Sequence, residues 1–168
     1  MTLQESFDEF LYTKEVDGLK DGSIHNYRIT IGYFLDAMGA GTPLNLLGLK
    51  KVQEYVKKCL DGHIARATAA SYVRNTRIFL DWCFREYENE LQFNPKKIKK
   101  PKSPKRNPYI YGDREIALIL EMVKTSEPWI TARDRAIIVL MLDSGLRQAE
   151  VCGLKLVNID RDRHVMKV

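Results

Sequence analysis

Four prolines, Pro95, Pro101, Pro104 and Pro108, fall within one short stretch and forbid any helix from running through the middle of this chain. Proline lacks an amide donor and locks its own φ, so both helix interiors and central strands exclude it. The same stretch holds Lys96, Lys97, Lys99, Lys100, Lys102, Lys105 and Arg106, with no acidic residue between Asn94 and Asn107. Proline and mutual repulsion together predict an extended, exposed segment. The chain is therefore expected to divide into residues 1–93, a basic Pro/Lys linker at 94–108, and residues 109–168. These seven positive charges exceed the net charge of the whole chain, +5, so the remainder is net acidic. A positive field concentrated in one segment points to a polyanionic partner. The plainer alternative is a solubilising linker.

On the N-terminal side of that boundary the apolar residues follow the helical period. Phe7, Phe10 and Leu11 predict a first helix that fades near Gly18. Asp21-Gly22-Ser23 offers an N-cap for a second, along which Ile24, Tyr27, Ile31, Phe34, Leu35 and Met38 recur. A third is predicted over about 49–60. The fourth, over about 66–87, is the most regular, with Ala69, Val73, Thr76, Leu80, Cys83 and Tyr87 on one stripe. On a different face of that helix Arg66, Arg74 and Arg77 fall within an arc of about 80°. Beyond the linker, a helix is predicted over 114–123. The apolar run Ala136–Leu142 fits either a buried helix or a buried strand. Ser144-Gly145 stops it, a short helix follows over 147–154, and a strand is expected to start near His164. The expected fold class is mainly α.

At 45% apolar residues the chain can bury a core, yet no apolar run approaches the roughly 20 residues needed to cross a bilayer. The N-terminal Met1-Thr2-Leu3-Gln4-Glu5 has neither a basic nor an apolar leader region. Cys59, Cys83 and Cys152 are scattered and show no metal-ligand spacing, which suits reduced thiols in the cytoplasm. A soluble, cytoplasmic protein with no membrane partner is the expectation.

The segment Asp143-Ser144-Gly145-Leu146-Arg147-Gln148-Ala149-Glu150-Val151-Cys152-Gly153-Leu154 resembles the first catalytic box of the tyrosine recombinases, or phage integrases. Asn158-Ile159-Asp160 resembles the family's Asp-Ile-Asp ending. Upstream, Leu19-Lys20-Asp21-Gly22-Ser23 through Tyr27 resembles the start of the family's second core-binding helix, and Asn94-Pro95 the dipeptide that closes that domain. The matches occur in family order and cover nearly the whole chain. The resemblance implies a SAM-like four-helix core-binding domain, a basic linker, and the α-rich beginning of a catalytic domain.

It also implies chemistry. The family cleaves and rejoins DNA through a phosphotyrosyl bond, without metal or nucleotide cofactor, and acts as a tetramer on double-stranded DNA. Arg147 matches the first of its two catalytic arginines, and Glu150 the carboxylate that positions the active-site groups. A guanidinium fork suits the charge that develops on phosphoryl oxygens. The plain alternative for this pair is a surface ion pair spaced i,i+3. The linker cations Lys96, Lys97, Lys99, Lys100, Lys102, Lys105 and Arg106 are expected to cross the phosphate backbone. Arg66, Arg74 and Arg77, with Ser71 and Asn75, are expected to face a groove, as are Ser23, His25, Asn26 and Arg28 on the second helix. All eight tyrosines precede the first box, so none matches the nucleophile. His25, His63 and His164 do not match the later His-containing box either and are read as non-catalytic. The expectation is a DNA-binding fragment of a site-specific recombinase that is inactive alone. Two alternatives stand beside it: a naturally truncated regulator that binds DNA without cutting it, and a helical protein-interaction module whose basic linker is incidental.

Overall fold

The computed structural model describes residues 1–62, 64–88, 90–102 and 107–168, and among these the chain is mainly α. It forms two compact units, Met1–Arg106 and Asn107–Val168.

The first unit is built on four helices: α1 (Leu3–Val16), α2 (Asp21–Met38), α3 (Leu49–Asp61) and α4 (Arg66–Glu86). Helix α1 starts on a reciprocal cap. Thr2 Oγ1 accepts from the Glu5 amide at 3.2 Å, and Glu5 Oε2 accepts from the Thr2 amide at 2.8 Å. The chain entering it is tied down by Leu3 and Gln4 amides donating to Thr42 and Ala40 carbonyls. Helix α2 begins one residue earlier than the Asp21-Gly22-Ser23 cap expected of it. Lys20 is the N-cap and makes no side-chain cap, while Asp21 sits inside the first turn. An acidic side chain there complements the helix dipole, which the capping rule alone did not weigh.

Helix α4 is the axis of the unit, packed by α1, α2 and α3. The predicted stripe is buried at Ala69, Val73, Thr76, Leu80 and Cys83, but Asn75, Phe79 and Trp82 are buried too. Three neighbouring helices widen the buried arc to about half the circumference, more than one amphipathic stripe signals. At its centre Phe10 packs edge-on against Tyr27, Phe79 and Trp82, with centroids 5.3, 5.5 and 5.5 Å away. Such a side chain stabilises the fold by about 1.5–3 kcal/mol through burial alone.

The basic segment does not run free from its start, as the prolines suggested. Pro95–Lys97 is a 3-10 turn capped by the Asn94 side chain, which accepts from the Lys96 amide at 2.9 Å. Leu91, Phe93, Pro95 and Ile98 are buried, while Lys96, Lys97, Lys99 and Lys100 are exposed. Proline at the first position of a turn loses a hydrogen bond that was unmade anyway, so here it initiates structure. The expectation of an extended, exposed linker is corrected over Pro95–Ile98. Lys105 and Arg106 lie outside the described residues.

The second unit contains α5 (Asp113–Met122), α6 (Pro128–Ser144), α7 (Gln148–Gly153), β1 (Ile159–Asp160) and β2 (Val165–Met166). The ambiguous apolar run resolves as helix, because Pro128 starts α6 early enough to give 17 residues. Gly145 ends it with φ of 69°, and its amide donates to the Met141 carbonyl at 3.0 Å. Helices α5 and α6 are linked by Arg135 Nε, which donates to the Leu120 carbonyl at 2.9 Å. The strand expected near His164 pairs antiparallel with β1, in the register Ile159 to Met166. None of the described residues of this unit is buried. No helix among the described residues is long and apolar enough to cross a membrane.

Candidate nucleic-acid interface

In the first unit the cations of α4 and those of the basic segment come together. One groove is lined by Ala67, Ala70, Ser71, Arg74, Lys100, Pro101 and Lys102. A second, beside it, is lined by Arg74, Arg77, Ile78, Asp81, Arg85, Lys96 and Lys100. Arg74 and Lys100 border both. Two features of the local fold produce this arrangement. The regular turn of α4 aligns Arg74 and Arg77, and the burial of Pro95 and Ile98 pins the basic segment beside them. Anchors facing inward force the intervening lysines outward, where their ammonium groups stay hydrated.

Arg85 was missed in the sequence. It lies eleven residues after Arg74, about three helical turns, and so within about 20° of it on the helix surface. Extending the Arg66–Arg77 periodicity by two turns would have found it. It also forms an ion pair with Asp81 at 3.5 Å, mostly in solvent.

Not all the expected cations join this face. Lys97 and Lys99 border a different groove with Gln53, Val56 and Ile98, beside α3. Arg66 is exposed in the first turn of α4 but lines neither groove. At the start of α2, Ser23, His25, Asn26 and Arg28 are all exposed, as expected of a surface array. Arg28 is partly committed to Glu15 of α1, at 3.2 Å.

Asn75 is the clearest departure. It was expected on the exposed face but is only 3% exposed, because its position on α4 turns toward α2. Its amide nitrogen donates to Asn26 Oδ1 at 3.0 Å and to Thr30 Oγ1 at 2.9 Å. Its oxygen accepts from Arg74 Nε at 3.3 Å. Asn75 therefore joins two exposed polar residues from inside.

In the second unit Arg147 is the N-cap of α7, with its side chain 84% exposed. Glu150 accepts from the Arg147 amide at 2.7 Å and from its Nη1 at 3.1 Å. The two hydrogen bonds, the backbone one first, hold the Glu150 carboxyl below its ordinary range. The pair is thus the i,i+3 ion pair that spacing alone allows, with a carboxylate orienting a largely solvated guanidinium. His25 and His164 show no cluster with other ligating groups, and no group of metal-ligating side chains occurs among the described residues. His63 lies outside the described residues.

No family model matches the chain. It is 30% identical over 162 residues to the tyrosine recombinase XerC of Myxococcus xanthus, covering 94% of this chain and 52% of that protein. It is 26% identical to the XerC of Corynebacterium glutamicum, across 99% of this chain and 52% of the relative. With the tyrosine recombinase XerA of Thermococcus onnurineus it shares 26% identity, across 99% of this chain and 53% of the relative. The chain thus spans about half the length of the curated relatives it matches. Among solved structures, the Tn1549 transposon integrase in complex with transposon right end DNA matches with a TM-score of 0.71. That match has 16% identity and covers 99% of this chain and 51% of the other, so it reports a shared fold.

Proposed function

Because this chain belongs to the tyrosine recombinase family, we propose that it binds duplex DNA as part of a site-specific recombination enzyme. Residues 1–93 serve as the DNA-clamping domain, 94–108 as the basic connection, and 109–168 as the first part of the catalytic domain. The observation that carries this is the shared groove in which Arg74, Arg77, Lys96 and Lys100 stand together. Four cations on one face displace counterions from a phosphate backbone, so binding is electrostatic and salt-sensitive. The Tn1549 integrase, whose fold this chain shares, was solved on transposon DNA.

Arg147 supplies a guanidinium for the scissile phosphate, and Glu150 orients it. In the resting structure Glu150 holds one guanidinium nitrogen, leaving most of the group in solvent to meet an anion. The 168 residues alone do not cleave DNA, because no tyrosine among them follows the Arg147 box. The intact enzyme works as a tetramer on paired sites in the cytoplasm, without metal or nucleotide cofactor.

Fluorescence anisotropy with labelled duplex, measured across a salt series, tests the binding. For four phosphate contacts, log K falls against log salt with a slope of about −3 to −4. Replacing both Arg74 and Lys100 by alanine lowers the slope by about 2. Absence of binding at low salt would leave the interaction-module alternative standing. A suicide duplex should trap no covalent adduct on this chain.

A further inference from the structure

We propose that Asn75 is a positioning residue that holds the Asn26 side chain with its amide nitrogen outward, so that α2 meets the duplex there as a hydrogen-bond donor. The inference rests on the DNA-binding reading above.

The direction of each amide follows from a chain of donors and acceptors that allows one polarity. A guanidinium can only donate. Arg74 Nε therefore fixes the oxygen of Asn75 on its own side, at 3.3 Å, and turns the Asn75 nitrogen toward α2. Thr30 has already given its proton to the Asn26 carbonyl, at 2.7 Å, so its hydroxyl can only accept from Asn75. The second Asn75 proton goes to the Asn26 side chain at 3.0 Å, which must answer with its oxygen. The Asn26 nitrogen, with both its protons, is then the end of the amide left to meet solvent or a ligand, at a residue that is exposed.

Burial makes this polarity firm. Asn75 is 3% exposed, and flipping its amide would set its nitrogen against the Arg74 donor at a position closed to water. Arg74, the start of the relay, lines both basic grooves. A phosphate at Arg74 and an acceptor at Asn26 are thus recognised by groups that share one hydrogen-bonded chain. This also narrows what Asn26 can read. Bidentate pairing with adenine needs both amide atoms, and here the oxygen is engaged inward. What remains is an acceptor on the duplex, either a phosphate oxygen or a base-edge acceptor such as guanine O6 or thymine O4.

The test is DNA affinity of Asn26→Ala, Asn75→Asp and the double variant on a panel of short duplexes of differing composition. An aspartate at 75 cannot donate, so the Asn26 amide turns its nitrogen inward and presents oxygen to the duplex. Each single variant is expected to weaken binding about five- to tenfold, and the cost of Asn75→Asp to shrink to the part owed to its charge beside Arg74 once Asn26 is alanine. A loss uniform across the panel identifies phosphate as the acceptor, and a loss confined to some duplexes identifies a base edge. Equal cost of Asn75→Asp with and without Asn26, or unchanged affinity for Asn26→Ala, overturns the proposal while leaving the salt-dependent binding intact. Loss of all binding by the unmodified chain would instead overturn the DNA reading. Side-chain amide spectra of the unmodified protein decide the case if Asn75→Asp fails to fold. Asn75 amide protons should exchange slowly, and those of Asn26 should exchange fast and shift on adding duplex. The reverse pattern would refute it.

Discussion

Residues 1–106 and 107–168 both fold into helices with well-made ends, but only the first unit buries its side chains. In the first, twenty-odd residues from Leu3 to Ile98 are buried around Phe10, Phe34 and Phe79. In the second, Leu118, Met122, Trp129, Leu156 and Val157 are each more than half exposed. Helix ends are matters of a few neighbouring residues: Gly112 and Glu115 at α5, Pro128 and Gly145 at α6, Arg147 and Glu150 at α7. Local signals can therefore specify a helix that still lacks packed partners. Most helical stability in proteins comes from packing an apolar face, so the two units should differ in strength more than in secondary structure.

The sharpest break in that comparison would come from paired truncations. Phe10→Ala should lower the stability of the first unit by about 3–5 kcal/mol. Val139→Ala in α6 should cost less than about 1 kcal/mol, since Val139 is 47% exposed. Denaturant melts followed separately in each unit measure both, and equal costs would abolish the distinction. Next in size is Ile98→Ala, which should cost about 2–4 kcal/mol because Ile98 is 2% exposed. Having released the anchor, it should also flatten the salt dependence of DNA binding. A melt shift without any change in that slope would show that Lys96 and Lys100 are held by something else.

The smallest effect concerns Glu150. Its carboxyl lies below the ordinary value of 4.5 because the Arg147 amide and side chain donate to it. A group depressed in the folded state stabilises above its unfolded value and loses that contribution as pH falls through the folded one. The α7 cap should therefore persist at neutral pH and loosen only below about pH 4.5. Carbon-detected titration should place the Glu150 midpoint under 4.5, and Arg147→Ala should move it upward. A midpoint at the ordinary value in the unmodified chain would show that the cap does not hold in solution.

Much of the architecture was legible because helices announce themselves locally. The four N-terminal helices, α5 and α7 follow from apolar spacing, glycine and proline, whereas the Ala136–Leu142 run left helix and strand both open and only the structure placed it in α6. The candidate site was legible in part. Arg74, Arg77, Lys96 and Lys100 were named from charge and periodicity, but that they share a groove depends on packing. Arg85 escaped because the periodicity was followed over too few turns. Asn75 was misplaced because the buried arc of α4 is set by how many helices surround it, a quantity that no single helix records. Ile98 carried a usable signal, being the lone aliphatic residue among the lysines.

By itself the sequence determined most of the helices, the charge asymmetry and the Arg147–Glu150 box, since each depends on residues within a few turns of one another. Tertiary structure alone decided which side of α4 is buried, where the basic segment is pinned, and which way the Asn26 amide faces. Those outcomes join residues as far apart as Asn26 and Asn75, and interactions at such separation exist only once helices have packed.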